Sequence, residues 1–260
     1  MWGHLMSRYN ERLQKYLSSL KDNGFQVDEY SEFKFEALDD FSNQGSLQEV
    51  IDWYWSFANS TTMEMQRIPL NECREWSYNA QTGSIEHSSG EFYRVEGYRI
   101  SGTGSREVMG GWDQPFLTQE GHDGGILGLV RKRIEDVPHY LVEAKEEPGN
   151  YNIVQISPTV QATFSNLKRA HKGRQTHYSH LFLKPEGNPV TVLVDQWTSE
   201  DGGRLFNKRN RSMLLEYQED APLELVSKRF KWVSLFQLKY LIREHNSIVA
   251  PHIRGILSSL

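Results

Sequence analysis

Cysteine is almost absent from this sequence: Cys73 is the only one in 260 residues. An intrachain disulfide is therefore excluded, which fits a reducing compartment. Long apolar runs are missing as well. No stretch reaches the roughly 18 consecutive apolar residues of a membrane span, and Met1-Trp2-Gly3-His4-Leu5 lacks the basic segment and apolar core of a secretory signal. A soluble, cytoplasmic protein is expected. Basic excess is also lacking. The formal charge of -5 has the wrong sign for a nonspecific nucleic-acid binder. There is no Gly-rich dinucleotide fingerprint, no Walker-type phosphate loop and no nucleophile elbow, and Gly102-Thr103-Gly104 is too short to count. His87, His139, His171, His177 and His180 show no familiar metal-ligand spacing. Neither a metal nor a redox cofactor is expected.

What is present reads as helix, then mostly antiparallel sheet, then helix: an α+β chain with a helical extension over residues 1–66 and one module over 67–260. Leu5, Tyr9, Leu13, Tyr16, Leu17 and Leu20 recur at helical spacing up to the Asn23-Gly24 stop. Ser46-Leu47-Gln48-Glu49 and Ser234-Leu235-Phe236-Gln237 have the form of capping boxes. Trp53, Tyr54, Trp55 and Phe57 make the second helix apolar nearly all round, for which core packing is the bland explanation. Alternation marks strands near 91–100, 126–131, 139–145, 190–194 and 213–217, with a hairpin turn around Asp136-Val137-Pro138.

The densest unusual chemistry runs from Gly111 to His180. A side-chain period of two puts Glu143 and Lys145 on one strand face, joined by Glu147 if the strand reaches it. The same rule sets Thr159, Gln161 and Thr163 against Val160, Ala162 and Phe164. Carboxylates beside a lysine can do acid–base work because each group shifts its neighbour's proton affinity; a surface ion pair is the competing explanation. Lys208-Arg209-Asn210-Arg211 suits a diphosphate, or is simply a solvated basic turn.

These segments, in this order, resemble the NDP-hexose 2,3-dehydratase family of deoxysugar biosynthesis. The resemblance rests on His87-Ser88-Ser89-Gly90-Glu91-Phe92-Tyr93, Trp112-Asp113-Gln114-Pro115, Ala144-Lys145-Glu146-Glu147-Pro148-Gly149-Asn150, Lys208-Arg209-Asn210-Arg211 and, above all, the run from Ser157 to Asn166. It implies a Nudix-like mixed sheet flanked by helices. The Nudix signature itself is missing, since Glu146-Glu147-Pro148-Gly149 matches only its tail. The implied activity is loss of the C2 hydroxyl from a nucleotide-linked 4-keto-6-deoxyglucose, with dTDP the usual carrier and no cofactor. A Nudix-type nucleotide-sugar hydrolase and a noncatalytic nucleotide-sugar binder are the alternatives. The roles expected are Glu147 or His87 as base and Lys145 as proton donor or enolate stabiliser. Trp112, Gln114, Gln155, Thr159, Gln161, Thr163, Asn166, Arg209, Asn210 and Arg211 are expected to bind substrate. Family members carry two tandem copies of the module and this sequence has the length of one. A homodimer is therefore expected, with the aromatic helix around Trp53, Trp55 and Phe57 in its interface.

Overall fold

The computed structural model describes residues 7–104, 107–119, 124–163, 167 and 176–260. Three helices open it: α1 (Arg8–Asp22), α2 (Ser31–Glu36) and α3 (Leu47–Ala58). Asn23 closes α1, and Gly24 follows at φ 78°, a left-handed conformation that glycine adopts without strain. The Ser46 capping box closes in both directions and starts α3.

A four-stranded antiparallel sheet follows, in the order β1 (Trp76–Asn79), β2 (Ser84–His87), β3 (Arg94–Ile100), β4 (Trp112–Thr118). The remaining strands build a larger sheet: β5 (Ile126–Ile134), β6 (Val137–Glu146), β7 (Val154–Pro158), β8 (Val160–Ala162), β9 (Val190–Ser199), β10 (Arg209–Tyr217) and β11 (Phe230–Val233). Its order is β11-β6-β5-β10-β9, with β7 added to β6 and β8 to β5. Only β5 and β10 run parallel among the described pairings, so the sheet is mixed and mostly antiparallel, as expected.

Helices α3, α5 (Leu235–Glu244) and α6 (Pro251–Leu257) cover one face of this sheet through Val50, Tyr54, Leu238, Leu241, Ile253 and Ile256, all fully buried. The short α4 (Ser179–Leu183) covers the other, with Phe182 against Val130, Leu141 and Met213. No helix among the described residues is long and apolar enough to cross a membrane.

Two sequence expectations need correction. The β5–β6 turn is made by Glu135 and Asp136, both at positive φ (51° and 69°), as in the primed turns that match strand twist. Val137 and Pro138 already belong to β6, where Pro138 faces Arg133. The run Arg209-Asn210-Arg211 is likewise not a turn but the start of β10, paired with Ser199, Thr198 and Trp197 of β9.

Candidate active site

A fork in the large sheet positions the site. The N-terminal part of β5 pairs with β8 (Ile126–Gly128 opposite Ala162–Val160), and its C-terminal part with β6 (Val130–Ile134 opposite Leu141–Val137). Beyond Leu141, β6 pairs with β7 instead. The two ladders separate at that point, and Thr159 sits at the apex, 1% exposed. Its hydroxyl accepts from the Val130 N–H at 2.9 Å and donates to the Leu141 carbonyl. Those bonds pin the fork and use the hydroxyl's only proton. The side chain is also buried away from the cleft beside Gln161, so Thr159 serves the fold and is not placed to contact a sugar.

Lys145 bridges the fork. Its Nζ donates to the Gln161 carbonyl at 2.6 Å and meets a Glu147 carboxylate oxygen at 3.1 Å. Strand β6 ends at Glu146, one residue short of Glu147, yet the lysine still reaches it. Glu143, on the same strand face, has its carboxyl pKa pushed up by burial, with Lys145 and Arg229 opposing. Gln155, the cross-strand partner of Lys145, donates to the Ser247 carbonyl at 3.0 Å.

Beside Gln161 opens a cleft of about 270 Å³, whose polar walls are Tyr93, Gln161, Thr163, Glu200, Asn210 and His252. Two glycines pack closely against the segments that carry its wall residues. A Cβ on Gly124 would strike the Arg209 carbonyl, and one on Gly125 the Ala162 carbonyl. Close backbone approach lets the Gly125 N–H donate to Asn210 Oδ1 at 2.8 Å, which fixes the amide so that its Nδ2 donates to Glu200. Glu200 is held in turn by its own N–H donating to the Lys208 carbonyl at 3.0 Å. The loop carrying Glu200 also abuts the small sheet, where Leu117 N–H donates to the Arg204 carbonyl at 2.9 Å. That contact brings the small sheet up to the cleft, with Tyr93 just ahead of β3.

The final helix supplies His252. The Ala250 N–H donates to the Ile156 carbonyl at 2.9 Å, tying the start of α6 to β7. Ile253, Ile256 and Leu257 then bury one face of the helix, and His252 takes the flank toward the cleft.

Burial, with Glu200 adding, pushes the Tyr93 phenol up to about 12, so it stays protonated and able to donate. Lys208, whose Nζ lies 5.3 Å from the Tyr93 ring centre, is lowered by burial against the pull of Glu200. His252 is lowered chiefly by burial; Glu200 opposes this, Lys145 adds to it and Glu147 opposes. Its imidazole is therefore neutral near pH 7. The cleft thus combines a neutral base, a neutral phenol donor, a fixed carboxylate and a nearby lysine.

Of the residues singled out from sequence, Gln161, Thr163 and Asn210 meet at this cleft, and Lys145 with Glu147 stands beside it. His87 lies elsewhere, on β2. Its Nδ1 accepts from the Ser89 N–H at 3.2 Å, and its Nε2 faces Glu75 at 3.3 Å. Trp112 and Gln114 are on β4, where the indole N–H donates to Gln114 at 2.8 Å and Gln114 donates to the Gly203 carbonyl. Arg211 forms a two-pronged pair with Asp195, at 2.7 Å for the Nε bond, and Arg209 stacks 4.4 Å above Trp197. Asn166 lies outside the described residues.

Sequence reasoning missed His252, Glu200 and Tyr93. Tyr93 ends the segment that begins at His87, whereas Glu200 stands in the polar run Ser199-Glu200-Asp201-Gly202-Gly203, a composition that signals a turn and no chemistry. His252 carried no local signal beyond the preceding Pro251.

The family model for NDP-hexose 2,3-dehydratase matches residues 47–260. Relatives named dTDP-4-dehydro-6-deoxy-alpha-D-glucopyranose 2,3-dehydratase include one from Saccharopolyspora spinosa, 38% identical over 80% of this chain and 41% of its own length. Another, from Amycolatopsis orientalis, is 35% identical over 84% of this chain and 45% of its own. The chain thus spans less than half the length of these relatives. Among solved structures, a C. elegans Ap4A hydrolase aligns at 12% identity and TM-score 0.30, over 51% of this chain and 91% of its own. A Nudix hydrolase from M. smegmatis aligns at 14% and 0.31, over 53% of this chain and 87% of its own. Likeness that partial decides nothing about the chemistry.

Proposed function

Because the chain belongs to the NDP-hexose 2,3-dehydratase family, we propose that it dehydrates a nucleotide-linked 4-keto-6-deoxyhexose, with dTDP-4-keto-6-deoxyglucose the first substrate to test. One observation carries the reading: Gln161 and Thr163 at the end of β8 and Asn210 at the start of β10 meet from separate segments at one cleft, and Lys145 at the end of β6 stands beside it, bonded to the Gln161 carbonyl. At about 270 Å³ the cleft falls just below the ~300–1,000 Å³ of typical small-molecule sites. It suits the hexose, while the nucleotide extends beyond it.

The reaction follows from the substrate's own ketone. A carbonyl at C4 acidifies the C3 proton, since the electron pair left behind delocalises as an enolate. A base takes that proton, and donors around the C4 oxygen hold the developing charge. Collapse of the enolate breaks the C2–O bond, and the hydroxyl leaves as water once protonated. The resulting enol becomes the 3,4-diketone. Oxidation at C3 and reduction at C2 cancel, so the chemistry consumes no external oxidant or reductant. In this reading Lys145 steadies the enolate, with Glu147 holding the ammonium in place. In the same reading Gln161, Thr163 and Asn210 bind the sugar, and Arg209 and Arg211 are the diphosphate candidates, exchanging their partners Trp197 and Asp195 for it. We further propose that the protein acts as a homodimer.

The test is direct. Protein mixed with dTDP-4-keto-6-deoxyglucose, chelator present and no nicotinamide or flavin added, is expected to lower the substrate mass by one water. Lys145→Met should cut turnover by about a hundredfold or more. An unchanged substrate mass with the thymidine, uridine, guanosine and cytidine carriers would sink the dehydratase reading. Release of a nucleoside monophosphate that depends on magnesium would favour a hydrolase.

A further inference from the structure

Resting on that dehydratase reading, we propose that His252 is the catalytic residue that takes the C3 proton. The sequence offered Glu147 and His87 for this task, and the geometry favours neither. Glu147 is engaged by Lys145 at 3.1 Å with its side chain 39% exposed, on the solvent side of the pair. His87 is held on both ring nitrogens, by Glu75 and Ser89, and it does not line the cleft. His252 lines the cleft directly, and no hydrogen bond or ion pair among the described residues involves its ring. Its backbone is not free to wander, because the Ala250–Ile156 bond and the buried Ile253 and Ile256 fix the start of α6. A positioned imidazole with an unused nitrogen is what general-base catalysis requires.

A second feature points to a ligand in the same place. Gln161 Oε1 is buried and has no hydrogen-bond partner among the described residues. A buried acceptor left unpaired costs about 1–3 kcal/mol, so such atoms in a cleft wall are commonly completed by a bound donor. A sugar hydroxyl lodged there would sit against His252, Tyr93 and Thr163, which line the same small space. The charged groups acting on His252 are Glu200 from the end of β9 and Lys145 and Glu147 from the end of β6.

The step balances within the substrate and this side chain. The C3–H bond breaks, its proton passes to the imidazole nitrogen and its electron pair enters the C4 carbonyl as the enolate. When the C2–O bond breaks, the imidazolium returns a proton to the departing hydroxyl. Water leaves, and His252 is again neutral. The protonated phenol of Tyr93, which lines the same cleft, then serves as the donor to the C4 oxygen.

Two variants of the full chain test this, with folding followed by thermal melting and dTDP-sugar affinity by calorimetry. His252→Ala is expected to lose about a hundredfold or more in kcat with Kd unchanged, and to regain activity when imidazole is added. His252→Gln keeps the side chain's bulk, should lose kcat to the same degree and decides the matter if the alanine variant does not fold. Normal turnover in a folded variant would overturn the assignment while leaving the dehydratase reading intact. A loss that imidazole does not restore in folded His252→Ala would also overturn it, because it assigns a positioning role. A wild-type protein that dehydrates none of the carriers would remove the dehydratase reading itself, and the proposal with it.

Discussion

At the residue scale, histidines of equal standing in the sequence have unlike fates. His139 is fully buried on β6. Its Nδ1 donates to the Val137 carbonyl at 2.8 Å, which leaves Nε2 bare and facing the Ser42 hydroxyl at 3.3 Å. Burial pushes its pKa down to about 4, against opposition from the Val137 bond and Asp40. The unfolded histidine titrates near ~6.5. Between those values the unfolded chain binds more protons than the folded one, so stability is full above ~6.5 and is lost as pH falls toward about 4. A shift of that size corresponds to roughly 3 kcal/mol in total. Urea denaturation at pH 7 and pH 5 should show the loss beginning, and His139→Gln should flatten it. An identical pH dependence in wild type and variant would remove His139 as the cause. Spacing in the sequence could not separate His139 in the core from His87 on the small sheet or His252 at the cleft, because these fates depend on packing between distant segments. Thr159 illustrates the same limit. Alternation put it beside Gln161, but the break between β7 and β8 turns its hydroxyl onto the fork.

Elements were more legible than residues wherever a local bond defines them. The capping boxes at Ser46 and Ser234 both close, since each needs only residues three apart. The basic run misled because its pairing partner, β9, is remote and the Glu200 turn intervenes. Helix α3 raises a question of boundary. A division between residues 66 and 67 sets it apart from the module, yet Val50 and Tyr54 lie fully buried in the main core. The Tyr54 hydroxyl donates to the Val154 carbonyl at 3.1 Å and accepts from Asn152 at 3.2 Å, joining α3 to β7. Tyr54→Ala should therefore cost about 3–5 kcal/mol, and Tyr54→Phe only about 1. Chemical denaturation of the full chain measures both. A loss below about 1 kcal/mol for the alanine variant would mark α3 as a separable extension.

For the molecule as a whole, the fold class was legible because helical and alternating periods change along the chain, whereas the cleft was not. Tyr93, Gln161, Glu200, Asn210 and His252 come from both sheets and the last helix. The homodimer is the remaining question at this scale. Its expected interface on α3 is largely covered by its own chain: the Trp53 indole donates to the Lys228 carbonyl at 3.0 Å, and Arg229 lies 4.9 Å from the Phe57 ring centre. On α3 only Trp55 remains a large exposed apolar side chain, at 42%. A broader apolar surface borders the small sheet, where Ile68, Leu70, Trp76, Ile85 and Val95 line a cleft of about 840 Å³ and Leu70 is 68% exposed. Contiguous apolar surface of this kind is costly to leave in water, and self-association across a twofold axis covers it on both copies at once. Sedimentation at micromolar concentration should therefore show twice the chain mass. Leu70→Glu should return it to one chain, since burying a carboxylate in a largely apolar contact is costly. If Trp55→Glu dissociates the dimer and Leu70→Glu does not, the contact lies on α3 after all. A species of one chain mass across the whole concentration range would remove the dimer, leaving the apolar cleft of the small sheet facing solvent in the working protein.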